Sequence, residues 1–275
     1  DDTIDTIAHK IYSKRIQIAP VGFEIDRVVI PAKGMKGKDF KIRKAEKVYL
    51  LVHNKKSEDK ASAYADEIVK KLKAAKIKTE KVPCDWYSID EITKKTRDLI
   101  LKEKGNEIAI NLASGSKNHA IGLDRACMTF RDRRKIIPFY PEAKKWAAQL
   151  NIKNLEQQST GVKAIKRIHT HRIIVPEEIL IEALKLIHTN SVIIPLASGR
   201  RGITKKDLAK KIFGSSSKQN LTRLQRNITQ KLMKTWRAVE PFKVGRSEYI
   251  ALTSEGDYLR YILENEETSV GPESV

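Results

Sequence analysis

The stretch EIAINLASGSKNHAIGLDRA, Glu107–Ala126, changes grammar halfway. Glu107–Leu112 is a short apolar run of strand type, Ala113–Asn118 is small and polar, and His119–Phe130 continues with helical spacing. Working outward, the same order recurs. Arg15–Pro20 reads as a strand and Phe23–Ala32 as a helix ended near Pro31 and Gly34. Lys47–His53 is a buried-strand run, followed by a helix over Ala61–Ala75 that Ser57 can cap. Ile77–Pro83 is a further strand. Ser88 with Glu91 forms a capping-box signature for a helix to about Lys104. Lys135–Tyr140 is a fifth strand. Strands separated by helical patterns predict βαβ units and a Rossmann-like parallel sheet, an α/β fold.

The second half is ordered differently. Pro176 precedes a helix over Glu177–His188. Ile203–Phe213 is a short helix with Thr204 as cap, and Gly214–Ser217 a turn. Lys218–Trp236 reads as a longer helix with Leu221, Leu224, Ile228 and Leu232 on one face. Val239–Leu252 reads as a hairpin with Gly245 and Arg246 near its tip, and Thr253–Leu263 as a last helix. This is the element order of a winged helix-turn-helix. Two domains are expected, 15–165 and 172–265, joined through a polar connection near Asn151–His171.

The chain has 275 residues and a formal net charge of +20. That excess favours polyanionic partners. The longest apolar runs, such as Val48–Val52, fall far short of the roughly 18–20 residues of a membrane span, and no signal peptide is evident. Cys84 and Cys127 lack CxxC spacing, so a disulfide framework and a cysteine zinc site are set aside and a reducing cytoplasm is expected. The chain opens on Asp1 without Met, and its first dozen residues read as a processed or appended segment.

The charge is uneven. Arg200–Arg246 holds 14 Lys/Arg and only two acids, Asp207 and Glu240, whereas Ser247–Val275 has net charge −6. The basic block coincides with the expected helix-turn-helix and hairpin, as release of phosphate counterions requires. Gln219, Asn220, Thr222, Arg223 and Arg226 lie off the Leu/Ile face, where Arg suits guanine and Asn or Gln suits adenine. Lys218 and the wing residues Lys243 and Arg246 suit phosphates or the minor groove, and Lys205 is counted among the DNA-binding residues. The expected partner is double-stranded DNA, with RNA binding through the same face as the alternative.

Two strand-to-helix junctions carry the remaining chemistry, Ala19–Arg27 and Asn111–His119. Ligands of open parallel sheets bind beyond the carboxyl ends of the strands, where small residues expose backbone N–H groups to an anion. Ser114, Ser116 and Lys117 add donors. Neither junction is a Walker A or a GxGxxG, so no dinucleotide cofactor is expected. For Gly22–Arg27, ligand contact competes with a plain helix entry carrying an Asp26–Arg27 surface pair. His169-x-His171 reads as polar surface rather than a metal site, and Cys127 as core. His9 and His188 carry no constellation, and no catalytic set is expected.

The junction NLASGSKNHAIGLDRA resembles the fourth-strand motif of CRISPR-associated Rossmann fold (CARF) domains. The phrase IAPVGFEIDRVVIPA, Ile18–Ala32, resembles the first-strand loop of archaeal CARF-type regulators with a C-terminal winged helix. Together the resemblance spans about Arg15 to Leu263. It implies a homodimer whose fourth-strand loops face each other and bind a nucleotide second messenger, a cyclic oligoadenylate. By carry-over, Ser114, Gly115, Ser116 and Lys117 would hold phosphate and ribose, with Gly22 and Phe23 nearby and His53 and Asn54 lining the crevice. The function it implies is a ligand-responsive transcriptional regulator. The alternatives are a ring nuclease, in which Ser116 and Lys117 would assist attack of a ribose 2′-hydroxyl, and a dimerising scaffold without nucleotide binding.

Overall fold

The computed structural model describes residues 13–38, 40–54, 61–129, 136–146, 157–169, 176–195, 197 and 199–264. The chain forms two compact units, Asp1–Ile174 and Val175–Val275. Ser57, His9, His171 and the first dozen residues lie outside the described residues.

The first unit runs β1 (Arg15–Pro20), α1 (Asp26–Ala32), β2 (Met35–Lys36), β3 (Lys41–Ile42), β4 (Lys47–His53), α2 (Ser62–Ala74) and β5 (Lys78–Cys84). It continues with α3 (Ile89–Lys102), β6 (Glu107–Asn111), α4 (Lys117–Thr129), β7 (Ile136–Trp146) and β8 (Ser159–Arg167). Six strands form a sheet in the order β5-β4-β1-β6-β7-β8, parallel except for β8. The mostly parallel α/β sheet of the sequence reading is therefore present. β1 lies between β4 and β6, so the winding reverses there. A crevice opens beyond the carboxyl ends of strands at such a point.

Burial on both sheet faces explains the continuous apolar strands. Ile16, Ile18, Tyr49, Leu51, Ile108 and Ile110 pack on one face with Ile92 and Ile100 of α3 and Leu123 of α4. Ala19, Val48 and Leu50 pack on the other with Val28 and Val29 of α1 and Ile68 and Leu72 of α2. Two buried amides tie α1 to the sheet: Gln17 Nε2 donates to the Val28 carbonyl at 3.3 Å and Asn111 Nδ2 to the Arg27 carbonyl at 2.8 Å. The Ser88 cap is present, its Oγ accepting from Glu91 N at 3.1 Å. The Glu91 carboxylate accepts from Asp85 N instead, so the capping box is not reciprocal.

Among the described residues of the connection expected near Asn151–His171, Ser159–Arg167 form a strand. β8 returns antiparallel along β7, with a register shift at Glu142/Ala143, and β7 runs on to Trp146, past the expected Tyr140. Polar composition suggested a linker because an edge strand is hydrated on its outer side, which hides the alternation. The expected Asp26–Arg27 surface pair is replaced by a buried one. Arg27 is 2% exposed and donates from Nη1 to both Glu24 oxygens, at 2.9 and 2.8 Å, and from Nε to the Pro141 carbonyl at 2.9 Å. Asp26 accepts from Gly161 N at 2.8 Å. A guanidinium packed between a helix and strands needs a carboxylate that is buried with it, and Glu24 is.

The second unit runs α5 (Glu178–Thr189), β9 (Val192–Ile193), β10 (Arg201–Thr204), α6 (Lys205–Phe213), α7 (Lys218–Leu224), β11 (Val239–Val244), β12 (Ser247–Leu252) and α8 (Ser254–Leu263). Thr204 and Ser217 cap α6 and α7, accepting from Asp207 N at 3.1 Å and Asn220 N at 3.3 Å. Gly214 closes α6 with φ near +79°. β11 and β12 form the expected hairpin, and β10 and β9 extend it to a four-stranded antiparallel sheet. The long helix expected through Trp236 is α-helical only to Leu224 and then widens into two π turns, Gln225–Thr229 and Lys231–Thr235. Leu224, Ile228 and Leu232 recur every four residues, a spacing longer than the α turn, and all three are buried with Leu184, Leu208 and Ile250.

Candidate functional site

The junctions after β1 and β6 interlock. A Cβ at Gly22 would stand 2.6 Å from Gly115 N and 2.8 Å from Gly115 Cα. Gly115 has φ near +84°, and a Cβ there would meet His119 Nδ1 and Pro20 Cβ, each at 2.9 Å. Glycine is thus required on both sides for the backbones to touch. Ser114, 1% exposed, has an Oγ with no hydrogen-bond partner among the described residues. Ser116 and Lys117 are exposed at the start of α4.

His119 is fully buried beneath this loop. Ser116 N donates to His119 Nδ1 at 3.2 Å, and Ser116 Oγ lies 2.9 Å from the same atom. An accepting Nδ1 puts the proton of the neutral ring on Nε2, which has no partner among the described residues. Burial, followed by the nearby His53, lowers the His119 pKa to about 4. The ring is neutral throughout the physiological range and offers an N–H.

An aromatic group surrounds it. The Trp86 ring lies 5.2 Å from His119 and 5.3 Å from His53, and Tyr87 lies 5.8 Å from His53. Trp86 Nε1 is buried without a partner among the described residues, while Tyr87 is 73% exposed. Asn118 Nδ2 donates to the Trp86 carbonyl at 3.1 Å, tying α4 to the segment after β5. His53 Nδ1 lies 2.8 Å from Asn54 Oδ1, and Asn54 N donates to the Cys84 carbonyl at 3.1 Å.

The structure thus gathers Gly22, His53, Asn54 and Ser114–Lys117 at the carboxyl edge of the sheet. Phe23 turns away onto Tyr64, edge to face at 5.5 Å. Sequence reasoning placed His119 at a helix start beside the ligand loop and left Trp86 and Tyr87 without a role. Their signal was position: both aromatics directly follow a strand end on the edge where ligands bind. Ser114 Oγ, His119 Nε2 and Trp86 Nε1 are three buried polar atoms that a polar ligand could satisfy. Cys84 is buried here, and burial pushes its thiol up to about 12. Among the described residues no group of three His, Cys, Asp or Glu could hold a metal ion.

His119 also predicts a pH dependence. Its pKa is about 4 in the folded chain against an ordinary 6.5, so the unfolded state binds the extra proton. This contribution is intact above pH 6.5 and is lost as pH falls towards 4, by a total of about 3 kcal/mol. Urea titrations between pH 7 and pH 4 are expected to show a shallower loss of stability for His119→Gln than for the parent; parallel curves would refute it.

In the second unit, Lys218, Gln219, Thr222, Arg223, Arg226 and Asn227 line one open groove along α7. Arg223 lies over the Phe213 ring at 4.9 Å. Asn220 is half-buried and donates to Ser215 O and Oγ at 3.2 and 2.8 Å, so it fastens the turn. Lys205 donates to Glu248 of β12 at 3.1 Å. Lys243 and Arg246 are exposed at the β11–β12 hairpin, whose turn uses Gly245 at φ near +59°. Arg200, which the charge count included, pairs with Glu240. Asn227, which the sequence reading did not single out, joins the groove one turn beyond Arg223. Among the described residues no helix is long and apolar enough to cross a membrane.

A family model described as HFX_2341_N:-like, N-terminal, matches residues 15–146. The Methanocaldococcus jannaschii protein MJ1513 is 27% identical over 216 residues, which cover 70% of this chain and 59% of that protein. The chain therefore spans about three fifths of the length of this curated relative. Among solved structures, Enterococcus italicus Csm6 bound to cyclic hexa-2'-fluoro-hexa-dAMP is similar with a TM-score of 0.41 and 13% identity, over 82% of this chain and 56% of that one. Can2 from Sulfobacillus thermosulfidooxidans, in complex with cyclic tetra-adenylate, has a TM-score of 0.37 and 11% identity, over 90% and 61% of the two chains. Protein VC1899 from Vibrio cholerae has a TM-score of 0.37 and 10% identity, over 86% and 75%.

Proposed function

We propose that this chain is a CARF-type, nucleotide-sensing, DNA-binding regulator that works as a homodimer. The first unit binds a cyclic oligoadenylate at the carboxyl edge of its sheet. The second is a winged helix-turn-helix in which α6 and α7 are the two helices and β11–β12 the wing. The observation that carries this reading is the interlocked Gly22–Gly115 contact with three unsatisfied buried polar atoms beside it, Ser114 Oγ, His119 Nε2 and Trp86 Nε1. Backbone N–H groups and Lys117 suit phosphate, and the exposed Tyr87 ring suits a base. Ligand would regulate DNA binding by preferring one arrangement of the dimer over another.

Calorimetry with cyclic tetra- and hexa-adenylate tests this reading. Micromolar or tighter binding is expected for the parent, with at least a tenfold loss in Gly22→Ala, whose added Cβ would displace the Gly115 amide. No heat with either ligand leaves a dimerising scaffold. A second reading, a nuclease that opens its cyclic ligand, is favoured by the Ser116 Oγ to His119 Nδ1 contact at 2.9 Å. Linear products in chromatograms of incubated ligand, lost in Ser116→Ala, would establish it over the pure sensor.

A further inference from the structure

Residues 33–44 carry six Lys/Arg against the single Asp39. They form the excursion that contains β2 and β3, and its fold does not need those charges. Met35, Phe40 and Ile42 pack with Ala109, Phe139 and Ile165 over the sheet. Gly37 seats the turn against β8, where a Cβ would meet the Ile165 carbonyl oxygen at 2.9 Å. With its apolar side held down, the hairpin exposes Lys33, Lys36, Lys38, Lys41, Arg43 and Lys44 together. Arg43 pairs with Glu107 at 2.7 Å, but none of the five lysines has an acidic partner among the described residues. β8 beside it adds exposed Lys163, Lys166 and Arg167, of which Lys166 pairs with Glu142 at 3.0 Å.

Like charges crowded on a small hairpin repel one another and lower stability unless a polyanion relieves them. Lysine is a flexible point charge, suited to phosphate rather than to bidentate reading of base edges. The hairpin's one aromatic, Phe40, is packed inward, so it offers neither a base-stacking platform nor a membrane-interface anchor. We propose that this hairpin is a second nucleic-acid contact, a sequence-independent grip on the phosphate backbone of duplex DNA that is independent of α7.

The test compares the full-length parent with Lys36→Gln/Lys38→Gln/Lys41→Gln, by fluorescence anisotropy on a long duplex between about 50 and 200 mM salt. Three lost phosphate contacts are expected to reduce the slope of log affinity against log salt by about 2–3. An unchanged thermal midpoint verifies the fold of the variant. The same substitutions are made in an Arg223→Ala/Arg226→Ala background, where the same reduction is expected. A reduction there without any sequence preference in the parent would uphold the hairpin and sink the regulator reading. An unchanged slope in both backgrounds overturns the proposal, as does lysine-dependent binding to phosphatidylserine vesicles with no change on DNA.

Discussion

Glu24→Ala is expected to lower the free energy of unfolding by about 3–5 kcal/mol, the range for removing one partner of a buried ion pair. Glu24 and Arg27 are 5% and 2% exposed, so the orphaned guanidinium would have no water to turn to. Arg27 Nη2 already lacks a hydrogen-bond partner among the described residues. Glu24 also accepts from Ser159 Oγ at 2.7 Å, so the substitution strands a hydroxyl of β8 as well. The pair joins the β1–α1 segment to the antiparallel strands, and α1 follows the loop at the carboxyl end of β1. The rings of Tyr140 and Trp146, 4.9 and 5.3 Å from the guanidinium carbon, cannot replace a carboxylate. The double substitution Glu24→Leu/Arg27→Met is expected to recover most of the loss, since apolar groups of similar volume often replace a buried pair at little cost. Urea denaturation of Glu24→Leu, Arg27→Met and the double variant gives the coupling energy. A loss below about 1 kcal/mol for Glu24→Ala would put the pair on a par with exposed ones.

Arg223→Ala/Arg226→Ala is expected to weaken duplex DNA binding by about 10²–10³-fold, with each arginine contributing about 1–3 kcal/mol. Both arginines are exposed in the α7 groove, and the Phe213 ring beneath Arg223 limits the rotamer freedom lost on binding. Lys205→Ala is expected to change affinity less than threefold, because Glu248 already holds that ammonium. Gel shifts on duplex DNA and on RNA of the same sequence read both effects. Unchanged duplex affinity in the double variant would remove α7 as the recognition helix, and preference for RNA would replace the DNA reading.

Much of the architecture was legible because it rests on local pattern. Buried runs such as Lys47–His53 and Glu107–Leu112 mark strands covered on both faces, and helical patterns between them leave few connections other than parallel crossovers. The loops at Gly22 and Ser114–Lys117 were legible as strand ends with small residues, since a backbone close to a ligand or to another loop needs them. Ser88, Thr204 and Gly214 were legible as helix punctuation.

What the sequence alone determined, then, was the order of elements, the alternating α/β grammar, the site of the small-residue loops and the concentration of charge in Arg200–Arg246. Only the tertiary structure decided which side chains meet. Gly22 touches Gly115 across nearly a hundred residues, and His119, Trp86 and His53 converge from three chain segments. Arg27 turns inward to Glu24, and a polar stretch becomes the edge strand β8. The physical reason is range. Strand alternation, caps and turns depend on neighbours a few residues away, whereas pairing and desolvation depend on partners that only the completed sheet brings together.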